Sequence, residues 1–192
     1  MAVNGPVSVA DRDRALVDRL AARDERALRE IYATYGRRLL AYAARVTGNA
    51  ERAEEVVQDS ILAAWAKPRS YRGDGSVLSW LLGIVRRRAL SAVRRRQPAI
   101  ADLDVAREIG SPEATPQAEC EARERALVLR QALARLSPDH REVLDLVFYQ
   151  GLDLAEVAAV CRCPVGTVKS RLHYAKTRLR SVLVEQGMET SE

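Results

Sequence analysis

Aromatic residues make up only 5% of the 192-residue chain, and cysteine occurs three times. Two of the three form the spacing Cys161-Arg162-Cys163, so no disulfide framework is available. With His173 they still lack a fourth ligand and the Cys-x-x-Cys spacing of a zinc site, and neither metal nor cofactor is expected. Long hydrophobic runs are absent as well. The longest, Val77 to Val85, is too short to cross a bilayer, and no basic-then-apolar leader opens the chain, so we expect a cytoplasmic protein without direct membrane insertion. Missing too are paired carboxylates, a nucleophile beside a base and a phosphate-binding glycine loop. That excludes an enzyme with catalytic residues and a small-molecule substrate.

What is present is apolar residue at 47%, enough for globular cores, and a net charge of +5 with a pI near 9.4. Helix formers dominate, so the fold class is all-α, and the uneven spread of arginine points to a polyanion partner rather than a membrane. The densest signal lies at Asp153–Arg180. Asp153 with Glu156 three residues on makes an N-terminal cap, and Leu152 with Val157 a hydrophobic staple. Leu154, Val157, Ala158 and Cys161 give a buried face. Cys161-Arg162-Cys163 before Pro164 breaks the chain into two helices. On the second, Val168, Leu172, Ala175 and Leu179 fall in one stripe, while Ser170, His173 and Thr177 lie opposite. Six basic residues and no acid stand between Arg162 and Arg180. This is the make-up of a DNA recognition helix, with early residues toward base edges and Lys and Arg toward phosphates.

Upstream, a loose tail leads to a helix over Asp11–Ala22 with Ala15, Leu16 and Leu20 inward. Asp24 caps a longer helix (Leu28, Ile31, Tyr32, Tyr35, Leu39, Tyr42 and Val46 on one side) that stops at Gly48. Asn49 restarts the chain into Glu51–Lys67. There Ala53, Val56, Val57, Ser60 and Ala64 face inward, and Glu51, Glu54, Glu55, Gln58 and Asp59 gather outside with Leu62 and Trp65. An acidic face carrying Leu and Trp reads as a docking surface for a basic partner. After the glycine-bearing loop Ser70–Ser76, a fourth helix runs from Val77 to about Gln97, with Leu78, Leu81, Leu82, Val85, Leu90 and Val93 apolar. It holds six arginines (Arg86, Arg87, Arg88, Arg94, Arg95, Arg96) in eleven residues. Such density calls for a polyanion. Tyr71 and Trp80 offer stacking platforms for unpaired bases, Tyr71 exposed and Trp80 packed on the third helix. Residues 98–118 read as an acidic linker. A helix over Glu119–Leu136 follows (Ala126, Leu129, Leu133 and Leu136 inward). Another starts at Ser137-Pro138 and runs through Val143, Leu144, Val147 and Phe148 to Gly151, and the tail after Gln186 is frayed.

Three motifs in this order and spacing, Glu54-Glu55-Val56-Val57-Gln58-Asp59, Tyr71-Arg72-Gly73-Asp74 with Trp80-Leu81, and Pro138 to Arg180 with Pro164-Val165-Gly166-Thr167-Val168-Lys169-Ser170-Arg171, resemble the extracytoplasmic-function (ECF) sigma factors of bacterial RNA polymerase. The resemblance spans roughly Arg12 to Leu183. It implies two small helical domains joined by a flexible acidic linker, region 2 at 11–97 and region 4 at 119–186, the second ending in a helix-turn-helix. Partners implied are core RNA polymerase, promoter DNA and an anti-sigma factor, which in such families can hold the protein at the membrane. The acidic face (Glu54, Glu55, Gln58, Asp59, Leu62, Trp65) would grip polymerase. Tyr71, Arg72, Asp74, Ser76, Arg87, Arg88, Arg94 and Arg95 would bind the minus-ten strand, the loop capturing a flipped base. Thr167, Lys169, Ser170, Arg171, His173, Tyr174 and Arg178 would meet the minus-thirty-five element, Arg171 and Arg178 on phosphates. Members commonly carry Asn where this chain has Arg87.

The linker of 21 residues would span about 25 Å as a coil and roughly 70 Å drawn out. Promoter elements about 16 or 17 base pairs apart lie on the order of 55 Å apart along B-DNA. The free chain is therefore expected to bind duplex promoter poorly until polymerase sets the spacing. The competing reading is a dimeric helix-turn-helix regulator acting alone. An RNA-binding helical protein fits less well, because A-form RNA closes the groove that such a helix enters.

Overall fold

The computed structural model describes residues 9–95 and 126–185, and among them every regular element is helical. The chain divides into two compact units. The first is built on α1 (Val9–Ala21), α2 (Glu25–Thr47), α3 (Ala50–Ala66), a 3-10 turn (Pro68–Ser70) and α4 (Val77–Arg95). The second is built on α5 (126–134), α6 (Pro138–Leu144), a π turn (Asp145–Tyr149), the first half of α7 (Leu154–Cys161), whose last four residues group with the first unit, and α8 (Val165–Glu185).

In the first unit α2, α3 and α4 pack on one another, with α1 laid against α2 and the 3-10 turn. Local chemistry sets the ends of the central helices. Asp24 accepts the Arg26 N–H at 2.8 Å, Asn49 accepts that of Arg52 at 2.8 Å, and Gly48 closes α2 in the left-handed region (φ 64°). The inner face of α3 is buried as its spacing predicts, at Ala53, Val56, Val57, Ser60 and Ala64, and Ile61 is buried beside them. α4 packs on both α2 and α3 and buries Leu78, Leu81, Leu82, Ile84 and Val85. Burying such side chains is the main stabilising term, and a Leu→Ala change at Leu81 or Leu82, both fully enclosed, costs about 2–5 kcal/mol. Asp13 adds a longer-range device. Its buried carboxylate accepts the Val77 N–H at 2.8 Å and the Tyr35 hydroxyl at 2.9 Å, so α1 caps the first turn of α4. That favours an anion at the positive end of the helix. Burial, then the bond to Asp13, pushes the Tyr35 hydroxyl above the ordinary tyrosine range.

In the second unit α6 and α8 pack together. Leu136, Leu144 and Ala175 form one cluster with Leu133, Leu172 and Leu179, and Ala132, Val182 and Leu183 a second with Val128 and Leu179. Ser137 accepts the His140 N–H at 3.3 Å with Pro138 at the first helical position, as the sequence predicts.

Several inward expectations fail. Ala15 is exposed and Val17 takes its place; Ala126 and Val93 face solvent; Tyr32 is 59% exposed, its ring lying beside Gly36 of its own helix. Phe148 is 60% exposed, because the helix widens into the π turn, where the Gln150 N–H reaches back five residues to the Asp145 carbonyl. One extra residue per turn rotates everything after it by about 100°. Trp80 is half-buried rather than enclosed, and Tyr71 half-buried rather than free. The expected tails before Val9 and after Gln186, Arg96, the 98–118 linker and the first part of the Glu119–Leu136 helix lie outside the described residues.

Candidate nucleic-acid and docking surfaces

On α3, Glu54, Glu55, Gln58 and Asp59 are all exposed, and Leu62 among them is 58% exposed. They are outside because the buried stripe of the same helix leaves them no other direction. Trp65 at the edge is half-buried and held from elsewhere. The Arg23 guanidinium lies over its ring at 5.4 Å and donates to its carbonyl oxygen at 2.8 Å. Arg23 sits in the left-handed turn between α1 and α2 (φ 64°), an arrangement that sequence spacing does not reveal. Asp59 pairs with Arg88 of α4 at 3.2 Å. The acidic face of α3 thus touches the arginine helix.

On α4 the arginines fall in rows. Arg87 and Arg94, and Arg88 and Arg95, are seven residues apart and so lie on common faces, two turns from each other. Arg94 donates to the Leu90 carbonyl at 3.4 Å and Arg95 to the Ser91 hydroxyl at 3.2 Å, both within the helix. Partial desolvation first, then like charge such as Arg88, draws the Arg87 guanidinium below its ordinary value, and it remains charged at neutral pH. Crowded cations of this kind are relieved by an anion.

The loop before α4 is more ordered than its glycines imply. The Tyr71 hydroxyl donates to the Gly75 carbonyl at 2.8 Å, and its ring packs on that of Trp80 with centroids 5.6 Å apart. The Trp80 indole N–H donates to the Ser70 hydroxyl at 3.2 Å. Gly73 and Gly75 both take positive φ, 83° and 104°, which lets the loop turn on itself. Arg72 and Asp74 are exposed. Ser76 caps α4, its hydroxyl accepting the Ser79 N–H at 3.2 Å.

In the second unit the predicted capping box is formed. Asp153 accepts the Glu156 N–H at 2.8 Å and Glu156 the Asp153 N–H at 3.2 Å. Arg162 turns the chain with φ 55°, and the Pro164 carbonyl accepts from Thr167 and Val168 to start α8. Val168 and Ala175 are buried and Leu172 and Leu179 half-buried, which leaves Lys169, Ser170, His173, Tyr174 and Arg178 exposed on the other side. Thr167 is half-buried and accepts the Ser170 hydroxyl on its carbonyl at 3.0 Å. Tyr174 stacks on His140 (6.4 Å) and meets His173 edge-on (5.7 Å). Arg171 differs from its neighbours: its guanidinium is engaged by Asp139 of α6 in an ion pair. No feature of the sequence marks Asp139, 32 positions away, as its partner. No group of three or more His, Cys, Asp or Glu arranged for a metal occurs among the described residues, where Cys161 and Cys163 are free thiols.

The family model described as Sigma-70 region 2 matches residues 31–99, and that described as Sigma-70, region 4 matches residues 126–179. The chain is 35% identical over 178 residues to the ECF RNA polymerase sigma factor SigL of Mycobacterium tuberculosis, covering 91% of this chain and 98% of the relative. It is 36% identical over 154 residues to the ECF RNA polymerase sigma factor EcfG of Rhodopseudomonas palustris, covering 79% of this chain and 82% of the relative. Among solved structures, it resembles CnrH in complex with the cytosolic domain of CnrY (TM-score 0.66, 27% identity, 91% of this chain and 99% of that one). It also resembles the sigma factor RpoE of Bartonella quintana in complex with the anti-sigma factor NepR (TM-score 0.63, 28% identity, 81% and 95%).

Proposed function

The chain belongs to the ECF RNA polymerase sigma factors, and from that premise we propose how its two surfaces divide the work of promoter-specific initiation. As a sigma factor it binds core RNA polymerase and directs transcription from promoter DNA; the stand-alone regulator is not favoured. Region 2 occupies 11–97, a linker 98–118 and region 4 119–186. Glu54, Glu55, Gln58, Asp59 and Leu62 dock a basic surface of polymerase, with Trp65 at the rim braced by Arg23. Tyr71, Arg72 and Asp74 engage the minus-ten strand, with Arg87, Arg88, Arg94 and Arg95 along its phosphates; Ser76 serves it indirectly, by fixing the first turn of α4.

In region 4, Lys169, Ser170, His173 and Tyr174 face the bases of the minus-thirty-five element. Thr167 braces Ser170, and Arg178 takes a phosphate. Arg171, paired with Asp139, holds α8 on α6 instead of reaching the backbone. The observation that carries the reading is the exposed face of α8 between Lys169 and Arg180, where no acid stands, opposite a buried stripe. By analogy with RpoE and its anti-sigma partner NepR, an anti-sigma factor masks these surfaces until a signal arrives.

The test is run-off transcription with core polymerase. Lys169→Ala is expected to weaken use of the minus-thirty-five box by about 1–3 kcal/mol. Unchanged promoter choice and affinity would remove α8 from the role.

A further inference from the structure

Both ends of the loop that precedes α4 meet α1. At its start, Arg14, Val17, Asp18 and Ala21, one stripe of α1, face the segment 68–73 across a cleft beside Tyr71. At its end, Asp13 takes the N–H of Val77, the first residue of α4. The opening N–H groups of a helix have no carbonyl partner within it, and Val77 is fully buried, so this one depends on an acceptor from the protein. One Asp13 oxygen accepts it at 2.8 Å, and the other accepts the Tyr35 hydroxyl at 2.9 Å. Arg19 fastens α1 in turn to Asp24 at 2.9 Å and to Glu30 at 2.8 Å. Between its two ends the loop carries Gly73 and Gly75, which leave its backbone many alternatives. Fixing the ends is what narrows them.

We infer that Asp13, aimed by Tyr35, is a positioning residue for the minus-ten strand: by holding the Val77 end of the loop it presents Tyr71, Arg72 and Asp74 in a single arrangement. The inference rests on the minus-ten reading above and adds to it two residues that touch no DNA. Asp13 is only 4% exposed, too enclosed to meet a strand, and Tyr35 is half-buried. A carboxylate suits the post because both of its oxygens accept. Asparagine keeps one acceptor for the Val77 N–H and turns its amide toward the Tyr35 oxygen, which can accept as well as donate. Alanine leaves a buried donor without a partner, a loss of about tenfold in the population of the ordered arrangement. Binding then weakens in proportion to the competent fraction that remains.

The loop is read first in the full chain carrying Trp65→Phe, where Trp80, packed on Tyr71, is the remaining tryptophan. Acrylamide quenching of its fluorescence should rise in Asp13→Ala to the level of Tyr71→Ala and stay at the starting level in Asp13→Asn. Holoenzyme assembled from core polymerase and the full chain is then titrated with a single-stranded minus-ten oligonucleotide, read by fluorescence anisotropy. Asp13→Ala should bind it about tenfold more weakly, with Asp13→Asn restoring most of the affinity and both variants still captured by core polymerase. Leu39→Ala, a truncation of a fully buried residue in α2, controls for stability: it should lower the melting temperature and move neither reading. Unchanged quenching and affinity in Asp13→Ala, equal changes in Leu39→Ala, or an asparagine that restores nothing would each overturn the inference. If Asp13→Ala does not fold, Tyr35→Phe decides: it should shift both readings the same way by a smaller factor, and no shift overturns the inference. Tyr71→Ala tests the premise separately. If it leaves strand affinity unchanged, the minus-ten reading itself fails; a loss there with none in Asp13→Ala removes only the role of Asp13.

Discussion

Arg171 and Arg178 stand two turns apart on the same side of α8, and only Arg171 meets an acid. A sequence gives both the same weight; the partner does not. Arg178→Ala should therefore behave as the loss of a phosphate contact, weakening minus-thirty-five DNA uniformly across sequences and lowering the salt slope by about 1. Arg171→Ala should instead lower the melting temperature modestly, since an exposed pair is worth about 0–1 kcal/mol, and leave the salt slope in place. Holoenzyme binding titrated at several salt concentrations, beside thermal melts, tells the two apart; equal salt slopes for both variants would return Arg171 to the phosphates. Asp59 is a second residue with two claims on it, because it faces outward on α3 and also holds Arg88. Asp59→Arg should abolish polymerase pull-down. The exchange Asp59→Arg with Arg88→Asp restores an attractive pair but keeps the reversed charge on the docking face, so it should recover stability and not association. Recovery of pull-down in the exchanged protein would mean that the ion pair, rather than the face, is what polymerase requires.

Helices impose a different arithmetic from residues, since a cap acts on a whole element. Asp24 starts α2, and its carboxyl is held below the ordinary range, first by the Arg26 N–H and then by Arg19. A carboxyl depressed in the folded state stabilises that state above its unfolded pKa, and the contribution disappears as pH falls through the folded value. Asp24→Asn keeps a capping oxygen and removes the charge. The melting temperatures of wild type and Asp24→Asn should differ near neutral pH and converge below about pH 4, and a difference constant across that range would show that the charge contributes nothing. Caps of this local kind were readable in advance: Asp24, Asn49, Ser137 and the Asp153–Glu156 pair all sit within three residues of what they bond. So was the inner face of α3, where a single apolar stripe fixes the rotation of the helix. Legibility ended where partners are distant or the period changes. Asp13 caps a helix that begins 64 residues later, Asp139 finds Arg171 across 32, and the π turn shifts the phase that would have buried Phe148. The acidic face of α3 and the basic faces of α4 and α8 were visible as charge patterns, whereas the cleft beside Tyr71 was not, because its α1 wall is brought there only by the packing of α1 on the 3-10 turn.

At the scale of the whole molecule, reach decides what the two regions can do together. On the proposed boundaries, 21 residues join region 2 to region 4, and drawn out they extend roughly 70 Å, against the order of 55 Å between promoter elements about 17 base pairs apart. That margin is small enough to test by shortening. Removing ten residues from 98–118 leaves a maximum reach of roughly 35–40 Å, below the separation required. The shortened chain should still be captured by core polymerase through α3, yet lose run-off transcription from promoters of natural spacing. Templates whose two elements are moved closer together by half a helical turn would not rescue it, because B-DNA rotates one element away from the other as it draws nearer, at about 10 base pairs per turn. The intact chain without polymerase should bind promoter duplex no more tightly than a nonspecific cationic protein, at about micromolar Kd or weaker at physiological salt. Nanomolar binding by the isolated chain, or full activity of the shortened one, would show that the two regions do not depend on polymerase to set their distance.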